Sequence, residues 1–352
     1  MGYAIETLGM HLAAWSKAGG REDVAETVMA LAAGARDLSA KVAVGPLLAD
    51  MAALTGNGAA GIAGGDQQKR LDLEAHTLFR ASLESSPVAV FGSEEHDTAE
   101  VLDASKPLAV AIDPLDGSSN IDTNLSIGTI FAIFPVPASG TGGDDTALLQ
   151  PGRDQLAAGF FIYGPQTALV VTLRRGTHIF TLDPQEGVFY LTKANVKVPH
   201  ESNEYAINAS NYRHWPVAIR DYIDDLIAGS SGPRGKDFNM RWVASMVAEA
   251  YRIMARGGIY LYPRDARHGY ENGRLRLVYE ANPMALIFEE AGGAATDGVN
   301  RILDILPTSL HQRVPLVFGS DDKVKRVARY HSDAPERHRS QPLFAERGLF
   351  RI

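Results

Sequence analysis

The feature that most constrains this fold is an uncharged apolar run that ends directly in acid. Residues 108–112 read LAVAI, which is typical of a buried β-strand. The next eight residues, 113–120, read DPLDGSSN, so two carboxylates three positions apart, a glycine and two serines follow the strand. The chain therefore has to bury a sheet and place a group of charged and small polar side chains at one edge of it.

The N-terminal half carries mixed helix and strand patterns. Residues 23–54 and 66–85 show helical spacing of apolar residues. Between them, the stretch TGNGAAGIAGG (55–65) contains five glycines in eleven residues, which excludes a stable helix or strand. A slack linker and a lid over a binding site are both consistent with this composition. Residues 156–198 alternate with period two and predict antiparallel strands.

The pattern changes near residue 200. The stretch YAINAS predicts a strand, RWVASMVAEAYRIMARGG an amphipathic helix, and GGIYLYP and RLRLVYE two further strands. A helix, NPMALIFEEAGG, precedes a last strand–helix pair, RVPLVFGS and DDKVKRVARYH. We therefore predict an α/β (α+β) fold built in packed layers. We divide it into an N-terminal half at 1–199, a C-terminal half at 200–335 and a tail at 336–352.

The charge and the cysteine content exclude several classes of function. Lys and Arg total 34 and Asp and Glu total 42, which gives a net charge of −8. Nucleic acids and anionic membranes attract basic proteins, so neither is an expected partner. The absence of cysteine excludes disulfides and thiolate chemistry. The sequence shows neither a signal-peptide pattern nor an apolar run of 18 residues, and we expect a cytoplasmic protein.

Acidic residues gather where the predicted elements end. They are Asp66, Asp72, Glu94, Glu95, Asp113, Asp116 and Glu280. Carboxylates within a few ångströms of each other repel strongly unless a cation lies between them. Oxygen ligands favour Mg²⁺, Mn²⁺ or Ca²⁺, and a pair of such ions could hold both oxygens of an in-line phosphoryl displacement.

The Gly-Ser turn beside these acids is suited to an anion. Gly117 lets the backbone approach a ligand closely, and the amides and hydroxyls of Ser118 and Ser119 can hold phosphate oxygens. The carbonyl of Leu115 is free to ligate a metal. Simpler interpretations remain open, because Asp-Pro-x-Asp-Gly is also an ordinary turn, Glu94 and Glu95 fit a solvated loop, and Asp66 and Asp72 fit a helix cap and a surface acid.

Several motifs in this order resemble class I fructose-1,6-bisphosphatase. They are GDQQKRLD, GSEE, DPLDGSSNID, NLSIGTIFAIF, GGIYLYP, RLRLVYEANPMA, EEAGG and PTSLHQRVPLVFGS, and they extend from about residue 20 to residue 330. The resemblance implies a layered α/β/α/β/α sandwich. It also implies magnesium-dependent hydrolysis of the 1-phosphate of D-fructose 1,6-bisphosphate to fructose 6-phosphate, in gluconeogenesis or the Calvin cycle.

The resemblance also implies roles for individual residues. The implied metal ligands, for two or three Mg²⁺ per subunit that Mn²⁺ can replace, are Glu94, Asp113, the Leu115 carbonyl, Asp116 and Glu280. The implied catalytic acids are Asp66, Asp72 and Glu95. The implied substrate-binding residues are Asp116, Gly117, Ser118, Ser119, Asn208, Tyr212, Arg241, Tyr260, Leu261, Tyr262 and Arg274. Arg241 matches an arginine that reaches a neighbouring subunit's site, which implies a homotetramer or a dimer.

The chain departs from the family pattern in three places. Arg274 replaces a lysine, so the charge is kept on a planar, bulkier group. Trp242 replaces a tyrosine, which removes a hydroxyl donor to the distal phosphate, although Trp242 also fits simple core packing. The N-terminal stretch AGGREDVAET, with Pro107, Leu108 and Pro135, lacks the groups that bind AMP in animal enzymes, so we expect no inhibition by AMP at that position.

Two other functions fit the same sequence. A bisphosphatase acting on sedoheptulose 1,7-bisphosphate, or on both sugars, differs only by one carbon in the substrate, and Arg274 and Trp242 could alter that pocket. A sugar-phosphate sensor without catalysis would tolerate the loss of metal-binding acids, whereas here every one is present. Phosphate release from each sugar separates these alternatives.

Overall fold

The computed structural model describes residues 6–45, 64–137 and 145–332, with the side chains of 64–70 outside that description. Most of the glycine-rich segment 55–65 and the whole tail 336–352 therefore lie outside the described residues. The described chain builds two β-sheets and the helices that cover them. No helix in this part of the chain is long and apolar enough to cross a membrane.

The N-terminal sheet, sheet 1, has the described strand order β2-β1-β3-β4-β5-β6-β7-β8. Its strands are β1 (Val88–Ser93), β2 (Glu100–Val101), β3 (Leu108–Asp116), β4 (Ile127–Pro135), β5 (Ala157–Tyr163), β6 (Thr167–Thr172), β7 (Thr177–Asp183) and β8 (Val188–Val196). Only the β1–β3 pair is parallel among these neighbours. The antiparallel strands predicted across 156–198 are confirmed as β5 to β8.

The C-terminal sheet, sheet 2, has the described order β10-β9-β11-β15-β13, and a short β12–β14 pair lies apart from it. These strands are β9 (Glu204–Ala206), β10 (Asn239–Met240), β11 (Ile259–Tyr262), β12 (Leu275–Arg276), β13 (Gly293–Thr296), β14 (Arg313–Val314) and β15 (Leu316–Ser320). Strand β11 pairs with β9 in parallel and with β15 in antiparallel orientation, so sheet 2 is mixed.

The helices begin and end where local side chains dictate. They are α1 (Leu8–Lys17), α2 (Glu22–Val44), α3 (Gly64–Leu83), α4 (Val217–Ile227), α5 (Met246–Arg256), α6 (Asn282–Glu290) and α7 (Asp321–Ser332). The hydroxyl of Thr7 accepts the Met10 N–H at the start of α1, and the hydroxyl of Ser245 does the same for Ala248 at the start of α5. Helix α5 then ends at Gly257.

Alternating side chains on sheet 1 separate two cores. Phe131 and Phe161 face the layer of α1, α2 and α3. Their neighbours Ile130 and Phe160 face the opposite way, against α5 and α6. The inner face of sheet 2 packs against this second group of residues, which we call the middle core. Helices α4 and α7 cover the outer face of sheet 2 and form the outer core with it. The predicted α/β/α/β/α sandwich is confirmed.

The structure corrects three predicted element boundaries. Asp113 and Asp116 lie inside β3, because the register with β4 shifts by one residue between them and the strand continues through the motif. The stretch RLRLVYE is a strand only at Leu275–Arg276, and Leu277–Ala281 form a π-helical turn that leads into α6. This turn is fully buried, so its apolar run resembled a strand. Helix α5 starts at Met246 rather than at residue 241.

We predict that Ile130→Ala lowers the free energy of unfolding by about 2–5 kcal/mol, because it opens a cavity in the middle core. Ile130 is 0% exposed. The matched control is Ile227→Ala at the end of α4, where the side chain is 66% exposed and the expected change is within about 0.5 kcal/mol. Urea unfolding at equal protein concentration measures both, and equal losses would contradict this layer assignment.

Candidate active site

Three buried carboxylates, which we call the acidic corner, meet at the edge of sheet 1. Asp113 and Asp116 come from β3, and Glu280 comes from the π-helical turn before α6. One oxygen of each lies within 4.8 Å of the others, and all three side chains are buried. The structure therefore brings together residues that are more than 160 positions apart in the chain.

Burial and mutual repulsion disfavour charge in the acidic corner. Loss of hydration raises the pKa of Asp113 and of Glu280 well above the ordinary values, and the nearby Glu94 charge adds to this. Burial also raises the pKa of Asp116 to about 7. A divalent cation between the carboxylates would remove the repulsion, and oxygen donors of this kind fit a hard cation such as Mg²⁺.

Backbone N–H groups fix the direction of each carboxylate in the corner. The N–H of Leu115 donates to Asp113 Oδ1 at 3.0 Å, and that of Arg276 donates to Glu280 Oε2. The N–H of Val247, in the first turn of α5, donates to Asp116 Oδ2 at 3.1 Å. The positive end of the α5 dipole thus faces Asp116, which partly offsets the cost of its charge.

Glu94 and Glu95 lie in the turn that follows β1, beside the corner. Glu94 forms an ion pair with Arg276 on β12 and also contacts Asp113. Glu95 is more exposed, and its pKa is raised first by partial desolvation and then by the Glu94 charge. Both predicted acids are therefore next to the acidic corner, and Glu94 is held there by its ion pair with Arg276.

Asp72 reaches the same place from helix α3. Its carboxylate interacts with the Ser118 hydroxyl and with the charges of Glu94 and Glu95, and its Oδ1 is buried without a hydrogen-bond partner. Burial, followed by the Glu95 charge, raises the pKa of Asp72 to about 7. Asp66 begins the same helix region, but its side chain lies outside the described residues.

The Gly-Ser turn is fixed between the corner and helix α5. Gly117 has φ +76°, and a Cβ there would lie 3.4 Å from Ser245, so glycine satisfies both a left-handed backbone and a close approach. The 3₁₀ turn Ser118–Asn120 follows. Asn120 donates its amide to the carbonyls of Val243 and Ala244 at 3.3 and 3.2 Å, which ties the turn to the lead-in of α5.

An aromatic group extends from the corner across the inner face of sheet 2. Trp242 stacks on Tyr260 with ring centroids 6.0 Å apart and planes 11° apart, and Tyr262 lies 6.2 Å from both rings. Burial raises the pKa of the Tyr260 hydroxyl, and the neighbouring Tyr262 and the charges of Asp116 and Glu280 raise it further. Trp242 thus fills space by packing, as its core interpretation anticipated.

The remaining predicted substrate residues are more scattered. Asn208 and Tyr262 line a shallow pocket together with Leu261, whose side chain faces the outer core. Tyr212 does not line that pocket, and its hydroxyl donates to Asp224 on α4 at 2.8 Å. Arg241 is half-exposed and lies 3.5 Å from Glu204 in its own chain.

Sequence reasoning missed several residues of this region. Arg276 pairs with Glu94, His76 stacks on His96 with centroids 4.0 Å apart, and Tyr270 contacts Arg274. The motif RLRLVYE contained one usable signal, because Arg276 lies only two positions from the predicted Arg274. The His76–His96 contact joins α3 to the β1 turn and carried no signal in the sequence.

Comparison with known proteins gives a consistent result. The chain matches the family models described as Fructose-1-6-bisphosphatase, N-terminal domain, over residues 13–194, and Fructose-1-6-bisphosphatase, C-terminal domain, over residues 198–332.

Individual relatives agree with the family models. The chain is 54% identical to "Fructose-1,6-bisphosphatase class 1" of Sinorhizobium medicae, over 94% of this chain and 93% of that protein. It is 50% identical to the protein of the same name from Rhodopseudomonas palustris, over 99% of each. The crystal structure of Leishmania major fructose-1,6-bisphosphatase in apo form superposes with a TM-score of 0.81 at 32% identity, covering 94% of this chain and 100% of that one.

We predict that the metal-free protein loses stability as the pH rises from about 5.5 to 7.5. The pKa values of Asp72 and Asp116 are about 7, whereas an unfolded chain has carboxyl pKa values near ~4. Between these values the folded state binds protons that the unfolded state has released, so the free energy of unfolding falls with rising pH. Melting temperatures in EDTA at the two pH values measure the effect.

The control for this prediction is Asp116→Asn, which keeps an oxygen for the Val247 N–H but removes one titrating group. The pH slope of the melting temperature should be shallower in this variant than in the unaltered protein. Added Mg²⁺ should restore stability at pH 7.5 in the unaltered protein and do so less in the variant. Identical slopes in both proteins would contradict the assignment of Asp116 as a source of the pH-dependent loss of stability.

We also predict that Ala244→Gly raises the free energy of unfolding by about 1 kcal/mol. Ala244 has φ +60°, a left-handed conformation that costs an L-residue roughly 1–2 kcal/mol and glycine little. Ala40→Gly, at an exposed position within α2, is the control and should lower stability by about 1 kcal/mol. Chemical denaturation measures both changes. A lower free energy of unfolding in Ala244→Gly would contradict a strained backbone at Ala244.

Proposed function

The chain belongs to the fructose-1,6-bisphosphatase family, and we propose that the acidic corner is where it hydrolyses the 1-phosphate of fructose 1,6-bisphosphate. The products are fructose 6-phosphate and inorganic phosphate. The observation that carries this assignment is the meeting of Asp113, Asp116 and Glu280 within 4.8 Å, beside a Gly-Ser turn. Phosphate ester hydrolysis needs a positively charged binding site, and an acidic corner becomes one only when it holds cations.

Enzymes of this family depend on metals, and Mg²⁺ is the ion we assign here. Its ligands are the three corner carboxylates, Glu94 and the Leu115 carbonyl. All of these donors are oxygens, as Mg²⁺ prefers. When bound, the ion supplies Lewis-acid charge against the phosphate oxygens. The ion pair between Glu94 and Arg276 lets this chain hold Glu94 near the corner before any ion arrives.

The chain's own residues position the phosphate and accept the proton of the attacking water. Ser118 and Ser119 present backbone N–H groups and hydroxyls at the start of the 3₁₀ turn. Asp72 and Glu95 are the proton acceptors in this assignment. The unpartnered Oδ1 of Asp72, together with its contact to Ser118, supports that role. Asp66 is assigned the same task.

The other end of the substrate is assigned to sheet 2. Tyr260, Tyr262 and Asn208 contact the sugar in this proposal, and Arg274 binds the phosphate that does not react. Arg274 lies over the Tyr262 ring, with its guanidinium carbon 5.9 Å from the ring centroid. Tyr260 lies close enough to the acidic corner to interact with the charges of Asp116 and Glu280, and Tyr262 interacts with the charge of Arg274. In this proposal the two tyrosines therefore lie between the two ends of the site.

We also assign the halves of the chain and its assembly. The half at 1–199 carries the metal and the reacting phosphate, and the half at 200–335 carries the sugar; the two family matches meet close to that boundary. Arg241 reaches a neighbouring subunit in a homotetramer. Its 53% exposed side chain supports an outward role, although Glu204 holds it in the isolated subunit.

We predict that Asp116→Asn and Glu94→Gln each lower kcat at least about 100-fold, because each removes a charge that holds the cation. The matched control is Asp122→Asn, an exposed acid in the same DPLDGSSNID motif that is not assigned as a ligand. Release of inorganic phosphate from fructose 1,6-bisphosphate measures the rate, and circular dichroism checks the fold. Near-normal turnover by either ligand variant would refute its role.

The same assay with sedoheptulose 1,7-bisphosphate and with EDTA completes the test. We expect hydrolysis of fructose 1,6-bisphosphate that EDTA abolishes and Mg²⁺ restores. A higher kcat/KM for the seven-carbon sugar would make that sugar the main substrate. A folded protein that binds the sugar phosphate but releases no phosphate from either compound would be a sensor, and the proposed hydrolysis would be wrong.

A further inference from the structure

Arg274 is held by two tyrosine rings and by no acid of the described chain. Its guanidinium carbon lies 5.9 Å from the centroid of Tyr262 and 4.6 Å from that of Tyr270, which are distances for cation–π contacts. No described carboxylate forms an ion pair with it, and its side chain is exposed. The two rings thus hold the Arg274 guanidinium in place, and its charge remains available to an anion.

Two arginines contact the Tyr270 ring. Arg267 approaches its ring at 4.8 Å from the guanidinium carbon to the centroid. The two cations differ, however, because Arg267 donates to both oxygens of Asp265 and its charge is matched there. The Tyr270 ring therefore contacts one arginine whose charge Asp265 neutralises and a second, Arg274, whose charge no described acid neutralises.

Backbone hydrogen bonds hold the loop that carries Tyr270. The Tyr270 carbonyl accepts the N–H of Asp265 at 3.1 Å and the N–H of Gly273 at 3.0 Å. The N–H of Ala266 donates to the carbonyl of His214 at 3.0 Å, which anchors the loop beside the segment that follows Asn208. The half-buried Tyr270 therefore lies in a hydrogen-bonded loop, next to Asp265, which lines the same pocket as Tyr262.

From this arrangement we propose that Tyr270 is a positioning residue for Arg274 and thereby determines specificity for a substrate with a second phosphate. The Tyr270 ring holds the guanidinium where the non-reacting phosphate of the sugar bisphosphate binds, and Arg267, paired with Asp265, also contacts the ring. Tyr270 does not touch the reacting atoms. This inference rests on the proposed function, because it needs a sugar bisphosphate bound between the acidic corner and Arg274.

The loss of one cation–π contact should weaken binding of the second phosphate and leave the chemistry unchanged. We expect Tyr270→Leu, which keeps an apolar side chain but removes the ring, to raise KM for fructose 1,6-bisphosphate about two- to fivefold. The kcat should change by less than about twofold, because the acidic corner is untouched. Tyr270→Phe keeps the ring and should stay within about twofold of the unaltered enzyme in both constants.

Ligands with one phosphate separate this role from a general structural one. Inhibition by fructose 6-phosphate, which carries only the far phosphate, should weaken in Tyr270→Leu by the same factor as KM. Inhibition by inorganic phosphate, and KM for fructose 1-phosphate, should be unchanged. Arg267→Gln removes the support without touching Tyr270 or Arg274 and should give a smaller rise in KM for fructose 1,6-bisphosphate.

The outcomes are distinct for the two levels of the proposal. If Arg274→Ala raises KM for fructose 1,6-bisphosphate while Tyr270→Leu does not, the positioning role is wrong and the proposed hydrolysis stands. If Tyr270→Leu weakens the binding of fructose 1-phosphate and of inorganic phosphate as much as that of fructose 1,6-bisphosphate, the substitution disturbs the whole fold. The inference also fails in that case. If the unaltered protein releases no phosphate from the bisphosphate, the proposed function itself has failed.

Discussion

The repulsion among three buried carboxylates is the constraint on which the rest of this structure depends. Asp113, Asp116 and Glu280 are held within 4.8 Å of each other in a site from which water is largely excluded. Such a group is unfavourable by itself, as the raised pKa values of its members indicate. The three carboxylates stay together only because a rigid scaffold holds them, and they can bind an anionic substrate only when a cation lies between them.

The scaffold supplies that rigidity through backbone groups from several layers. Strand β3 carries two of the acids through a shift in register, and the start of α5 directs an N–H and its helix dipole at Asp116. Ala244 stores strain in the lead-in to α5, where its carbonyl binds Asn120 of the Gly-Ser turn. The site is therefore built where the middle core meets the edge of sheet 1, and the packing on both faces holds it in place.

The charges of the site are divided along a line of aromatic rings. The acidic corner lies at one end, and Arg274, uncompensated within the described chain, lies at the other, with Tyr260 and Tyr262 between them. A ligand with an anionic group at each end suits this arrangement once cations occupy the corner. The protein is acidic overall, so its affinity for a bisphosphate must come from local charge and not from its average field.

The sequence alone determined the layered fold class, the strands of residues 156–198 and the acids that form the site, because short-range periodicity and residue chemistry are written in it. It did not predict that Leu277–Ala281 are helical, since a turn buried on all sides has no exposed polar face to reveal its period. Only the tertiary structure decided that Glu94 pairs with Arg276, that Tyr212 turns to Asp224 and that Tyr270 supports Arg274. These contacts depend on side-chain directions across separate elements, which the packing of the whole chain fixes and local sequence does not encode.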